Sequence, residues 1–321
     1  MKKTRSVIMV LLFMLSFASF DAAQGAQGKK ILFIDSYHQG YAWSDGITKG
    51  IETTLSGSGA ELKIIRMDTK RNTDENFKKE AALKAKAIIE QFKPDVVIAA
   101  DDNASKYLIV PYYKDATLPF VFCGVNWDAS DYGFPAKNVT GMIEVTPIPQ
   151  LIDQLKAFAK GGRLGFLAPD IVTAHKEVSN YKKIFGLNFV EYFAKDVTDW
   201  KKGFSELQDK VDILIIDSDG GLYSNEADEL KAYVQANAKI VTGTTYDFMA
   251  PFALMAFAKV AEEQGVWAAN TALQILGGAK PADIPLAKNK EGNLIINAKM
   301  AQKLGVQIPF TIIQSASKVL E

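Results

Sequence analysis

Apolar runs bounded by turn residues recur along this chain at a regular beat. ILFID (31–35), ELKIIRM (61–67), VVIAA (96–100) and FVFCGV (120–125) read as strands, with segments of helical period between them. Over 74–92, Phe77, Ala81, Ala85, Ile88 and Phe92 step by three or four and so share one helix face. Asp74 and Glu75 put negative charge in the first turn, where the helix dipole favours it. The pattern then restarts. RLGFLA (163–168), NFVEYFA (188–194), VDILIID (211–217) and KIVTG (239–243) read as strands, with helices expected near 173–185, 198–209 and 224–237. Strands that are apolar on both faces and alternate with helices predict parallel sheets covered on both sides. The expected fold is therefore α/β, with two similar doubly wound lobes. The repeat is one of architecture, not of residues.

The tail adds a third part. A helix near 262–276 carries Val266, Ala269, Leu273 and Leu276 on one stripe, and Gly277-Gly278 is a C-terminal stop. Pro281 and Pro285 flank a short connection before NLIINAKMAQKLG. This is more chain than the second lobe needs. It is expected to return to the first lobe and cross again, forming a hinge of several strands.

The N-terminus has a different character. Lys2, Lys3 and Arg5 precede the apolar run VIMVLLFML, and the small residues AAQGAQG follow. A basic head, a short greasy segment and a small-residue exit describe a secretory signal peptide, assigned to residues 1–28, with cleavage after Ala23, Gly25 or Ala26. The run is shorter than the roughly 20 apolar residues of a membrane span. Of 321 residues, 37 are basic and 37 acidic, and the leader removes three of the first and one of the second. The mature chain is then slightly negative, which speaks against a nucleic-acid groove. With Cys123 as its single cysteine, an exported chain has no internal disulfide and must rely on ordinary cores.

In open α/β sheets, ligands bind beyond the carboxyl ends of the strands. Ser36, Tyr37 and His38 follow the first strand, with Trp43 shortly after. Asp101, Asp102 and Asn103 follow the third, and Gly124 leads into Asn126, Trp127 and Asp128 at the end of the fourth. In the second half, Pro169 and Asp170 follow one strand. Asp217, Ser218, Asp219 and Gly220 close another, and Thr244, Thr245, Tyr246 and Asp247 a third. Such sets on both lobes would face each other across a cleft. Tyr37, Trp43, Trp127 and Tyr246 are expected to line it, while Phe33, Phe122 and Phe166 are core and Trp200 and Trp267 pack within helices.

Catalytic sets are sparse. His38 and His175 are the only histidines, and Cys123, which His38 would have to activate, lies inside an apolar strand. Neither G-x-S-x-G nor G-x-x-x-x-G-K-[ST] occurs. Asp101, Asp102, Asp217 and Asp219 could hold Mg²⁺ for phosphoryl chemistry, which makes a metal-dependent hydrolase the rival class. The simpler role for Asp102 or Asn103, and for Asp219, is to cap a helix.

The segments IDSYHQGYAWSDGITKGIE, MDTKRN, VIAADDNASKYL, FVFCGVNW and VTGMIE resemble the periplasmic substrate-binding proteins of an ABC-transporter family with the type I periplasmic-binding fold. The tail, QGVWAANTALQILGGAKPADIP with LIINAKMAQKLGVQIP, is similar too. The resemblance implies lobe one over 29–143 with 260–280 and lobe two over 144–259 with 281–321, closing on a small solute. It implies a periplasmic, monomeric binding protein that takes up a small, amino-acid-like solute, aromatic ones included, and delivers it to an ABC permease. No cofactor, metal, nucleic acid or catalysis is expected. Tyr37, Trp43 and Trp127 would stack on the solute. Ser36, His38, Asn103, Asn126 and Thr245 would hydrogen-bond it, and Asp101, Asp217, Asp219 or Asp247 would meet a cation. Related modules serve as extracellular sensors, so an input role for a signalling partner is the alternative.

Overall fold

The computed structural model describes residues 26–218 and 226–321. Residues 1–25, which hold most of the expected leader, lie outside the described residues. The chain forms two compact units. One runs to Val145 and includes Ala261–Asn289; the other comprises Thr146–Val260 and Lys290–Glu321. The chain thus passes from one unit to the other three times.

The first unit opens with β1 (Lys30–Asp35), α1 (Ala42–Leu55), β2 (Glu61–Arg66), α2 (Glu75–Phe92) and β3 (Val96–Ala100). A short α3 (Asp101–Ala104) runs straight into a π-helical stretch, Ser105–Tyr113, before β4 (Phe120–Asn126) and β5 (Val139–Glu144). Local chemistry sets the boundaries. The Asp74 carboxylate accepts from the amides of Asn76 and Phe77 and so starts α2, which ends at Lys93 in the left-handed conformation. Pro111 lies inside the π-helical stretch and offers no amide hydrogen to an α-helical ladder.

The second unit begins with α4 (Ile148–Lys156), β6 (Leu164–Pro169), α5 (Val172–Phe185) and β7 (Phe189–Ala194). It continues with α6 (Val197–Gln208), β8 (Ile213–Ile216), α7 (Ala227–Asn237), β9 (Val241–Thr244) and β10 (Met255–Lys259). The chain then supplies α8 (Ala261–Leu276) and β11 (Ala287–Lys288) to the first unit. It finishes in the second with β12 (Gly292–Asn297), α9 (Ala298–Leu304), α10 (Phe310–Ser315) and β13 (Lys318–Leu320).

The sheets run β11-β5-β4-β3-β1-β2 in the first unit and β13-β12-β10-β9-β8-β6-β7 in the second. All pairings are parallel except β10 with β12. The first five strands of each unit take the same spatial order: second, first, third, fourth, fifth. This is the architectural repeat expected from the sequence, and the fold class is as read there. In this order the winding reverses between the first and third strands, leaving a crevice at their carboxyl ends. Those switch points lie between β1 and β3 and between β6 and β8.

Two sequence expectations need correction. Residues 281–289 do not belong to the second unit, because β11 adds to the edge of the first sheet beside β5. Of the expected α8 stripe Val266, Ala269, Leu273 and Leu276, only Ala269 is fully buried. Gly265, Ala268, Ala269 and Ala272 are the buried face, and Leu273 and Leu276 pack at its margin. The cause is close helix crossing. A Cβ on Gly265 would lie 2.1 Å from the Ile47 carbonyl oxygen, and one on Gly50 would lie 2.3 Å from that of Glu262. Only small residues let α1 and α8 approach so nearly. The same core takes Ile47, Ile51 and Leu55 of α1 together with Ile31, Phe33, Ile98 and Cys123.

Candidate functional site

At the first switch point the chain leaves β1 at Asp35 and β3 at Ala100, and the residues that follow meet. Ser36 is wholly buried; its hydroxyl donates to the Ala100 carbonyl and accepts from the Ala104 amide at 2.9 Å. Ser36 therefore does the capping expected of Asp102 or Asn103, reaching across from the neighbouring strand. Asn103 donates to the Thr69 hydroxyl at 2.8 Å, and Thr69 donates to the Ser36 carbonyl at 2.6 Å. These polar groups hold the loops in place.

Asp101 lies at the centre. It is 1% exposed and has φ of +70°, a conformation that Asp tolerates better than most residues. The Trp43 indole N–H donates to its Oδ1 at 3.0 Å, while Oδ2 is buried without a hydrogen-bond partner. Burial holds this carboxyl well above the usual carboxylate range, reinforced by Glu144, Asp35 and Asp102. Asp35 accepts from the Tyr37 amide at 2.9 Å and the Ser44 hydroxyl at 2.8 Å, and Arg66 Nε stands 3.4 Å from its Oδ2. Burial raises this carboxyl as well, against those partners.

β4 is bulged at this point. Its register against β5 shifts between Phe122 and Val125, and Gly124 has φ of +68°. A Cβ on Gly124 would stand 2.8 Å from Asp101 Oδ1, so glycine keeps the space that the carboxylate uses. The Gly124 amide donates to Gln264 Oε1 of α8 at 2.9 Å, and Gln264 Nε2 is buried without a partner.

The remaining predicted residues of this unit divide by position. Tyr37 is half-buried, edge-on to Tyr41 at 5.5 Å, with Lys70 5.0 Å over both rings. Burial raises its hydroxyl's pKa, as do Asp101, Asp102 and Glu144 nearby. Trp43 starts α1 and rests on the core besides bonding Asp101. Trp127 is half-buried at φ +61°. Asn126 is exposed and donates to Asp102 at 2.7 Å; Tyr132 donates to the same carboxylate at 2.8 Å. His38 stands beside Asp68, its Nδ1 3.7 Å from Oδ1. Cys123 is fully buried, and burial pushes its thiol well above the ordinary range, as packing requires and a nucleophile does not.

In the second unit, Asp217 leaves β8 beside the switch point. It is 6% exposed, its Oδ1 has no partner, and burial pushes it up to about 8, with Glu177 adding repulsion. Glu177 accepts from Thr146 at 2.7 Å and Tyr181 at 2.8 Å and is itself raised by burial. Thr245 is buried and bonds Tyr181; Ser218 and Tyr246 are half-buried. Asp247 is exposed and accepts from the Phe248 amide at 2.7 Å. Asp219 and Gly220 lie outside the described residues. His175 pairs with Asp170 at 2.8 Å.

Sequence reading missed Asp35, Glu144, Gln264 and Glu177. Asp35 closes the strand read at 31–35 but is counted there with the strand and not with its exit, and the strand-exit rule would have found Glu144 had VTGMIE been read as β5. Gln264 and Glu177 lie within helices and carry no local signal. Among the described residues, no group of three or more His, Cys, Asp or Glu is placed to hold a metal ion. No helix among them is long and apolar enough to cross a membrane.

Two doubly wound sheets with the same switch-point topology define the type I periplasmic-binding class. Solved structures agree on that fold. A ligand-free, open substrate binding protein with adhesive properties from Clostridium difficile is 20% identical, with TM-score 0.69, over 91% of this chain and 99% of that one. An ABC domain from Streptococcus pneumoniae, solved in complex with L-Trp, is 21% identical, with TM-score 0.54, over 92% and 100%. A periplasmic ribose ABC transporter protein from Conexibacter woesei is 15% identical, with TM-score 0.56, over 88% and 96%. The sequence finds no match among curated proteins. Residues 41–320 match the model of the ABC transporter substrate binding protein family, and the chain belongs to that family.

Proposed function

We propose that this protein is exported to the periplasm, loses its leader, captures a small amino-acid-like solute and hands it unchanged to an ABC permease. The observation that carries the reading is the first switch point, where a buried acid with an unpartnered oxygen bonds the Trp43 indole and acts on the nearby Tyr37 hydroxyl. Acid and aromatic groups in one place suit a ligand with an ammonium head and an apolar body. The L-Trp complex of the Streptococcus pneumoniae relative supports an aromatic member of that class. Ser36 and Asn103 shape the loops of the first unit in this reading, while Asp101 meets a polar part of the solute.

A thermal-shift screen of amino acids, purines, sugars and carboxylates tests it. At 100 times Kd a true solute adds about 2.7 kcal/mol of stability, enough to raise the melting temperature by degrees. Mass spectrometry should recover that solute intact. Stabilisation only by sugars or purines, or turnover of the bound compound, would overturn the proposal.

A further inference from the structure

Between Glu291 and Glu321 the chain carries Lys299, Lys303 and Lys318 and no acidic residue, although acids outnumber bases once the leader is removed. The fold brings this stretch to the edge of the second sheet, where β13 is the outermost strand. The Asn297 amide donates to the Leu254 carbonyl at 3.0 Å, just before β10 begins, so this is the end of the sheet away from the exit of β10. A cavity of about 380 Å³ lies here. Lys231, Lys299 and Lys318 line it together with Pro251, Val319 and Leu320, and Glu321 is the one acid in the lining. Lys299 donates to the Glu321 main-chain oxygen at 2.7 Å. Two residues separate β13 from α10, a helix of sequence FTIIQS with no buried residue. Phe310 is 75% exposed, more than any other large apolar side chain among the described residues, and Ile313 and Val319 are each 40% exposed. A single exposed apolar residue is ordinary, but several in one run, rimmed by polar groups, mark a surface that something covers.

We propose that this edge of the second unit is a docking surface for an anionic phospholipid bilayer, with Lys231, Lys299 and Lys318 at the headgroup phosphates and Phe310 and Ile313 in the acyl boundary. Charge selects the occupant. Lysine carries its ammonium on a long apolar stem, so it meets phosphates while neighbouring Phe and Ile side chains enter the layer beneath. A second copy docked face to face would set lysines against lysines. A neutral bilayer would take the apolar side chains but offer the lysines no net counter-charge. The surface adds a function that does not depend on which solute the protein binds: it holds the second unit at a membrane.

The test is co-sedimentation of the mature chain, free of its apolar leader, with vesicles of phosphatidylglycerol and phosphatidylethanolamine or of phosphatidylcholine alone. The wild type should bind the anionic vesicles and not the neutral ones. It should leave them in about 1 M salt, where the screening length shrinks to roughly 3 Å. Lys299→Gln with Lys318→Gln should weaken partitioning by roughly 10-fold, the scale of removing two lysines from an anionic surface. Phe310→Ser with Ile313→Ser should weaken it by roughly 10-fold as well, the scale of withdrawing a large apolar side chain. All four side chains are exposed, and unchanged melting temperatures would show that both variants fold. Absence of binding to anionic vesicles, equal binding to phosphatidylcholine, or full binding by either pair of variants would overturn the inference. Two further results would reassign the surface and so overturn it too. One is stabilisation by inorganic phosphate without vesicle binding, which makes the cavity a site for a free anion. The other is a dimer in sedimentation velocity that Phe310→Ser with Ile313→Ser dissociates, which makes a second copy the occupant.

Discussion

Asp217 shows how one side chain makes stability depend on pH. Its folded pKa, pushed up to about 8, lies above the ordinary 3.8 because burial and Glu177 both disfavour the carboxylate. Between those values the folded chain holds a proton that the unfolded chain has released. Stability is therefore highest below that window and falls as pH rises through it, levelling off above about pH 8. Asp217→Asn removes this contribution and leaves Glu177 in place. The urea midpoint of the variant should fall less between pH 5 and pH 8.5 than that of the wild type, with the variant the more stable at the upper end. Parallel pH profiles for the two proteins would show that Asp217 ionises freely in the fold.

At the scale of elements, the α1–α8 contact is the most exacting in the first unit. Gly265→Ala places a methyl 2.1 Å from the Ile47 carbonyl, a backbone atom that cannot swing aside. The helices must separate, at a cost of about 1–3 kcal/mol or more, lowering the melting temperature by roughly 2–4 °C per kcal/mol. Gly162→Ala is the control, since a Cβ there meets nothing within 4 Å. Equal melting temperatures for both variants would mean that the crossing is looser than described. The α8 pattern also shows a limit of periodicity. Counting apolar residues selected the stripe Val266, Ala269, Leu273 and Leu276, but the pressing face is made of Gly and Ala, and only Ala269 belongs to both. Small residues look neutral in a hydrophobicity pattern, and their role appears only when a second helix lies against them. The α2 stripe shifts as well: Ile89 is buried and Ile88 is only half-buried.

For the whole molecule, the proposal of export is the most direct to check. Intact mass of the protein recovered from the periplasm should show a chain beginning between residues 24 and 29, a range set by the small-residue exit. Recovery of Met1 through Phe20 on the mature protein would contradict it. The chain's three passages between units also make each unit discontinuous in sequence, so a truncation before Ala261 strips α8 from the first core. Neither half-chain should then fold alone.

The beat of apolar runs and helical stretches determined most strands, the parallel sheets and the doubled architecture, because period and turn chemistry are local properties. Strand exits located Ser36, Tyr37, Asp101, Asp102 and Asp217, since a parallel sheet puts its loops at one end. What each residue does there was decided by tertiary structure. Ser36 caps a helix from another strand, Trp43 spends its N–H on Asp101, and His38 faces Asp68. Glu144, Gln264 and Glu177 arrive from distant segments, and Asp101 is buried where Trp43 of α1 and Gly124 of β4 meet it. Burial and partnership are properties of the assembled chain, and they separate an acid whose oxygens are all bonded from one, such as Asp101, with a buried oxygen that has no hydrogen-bond partner.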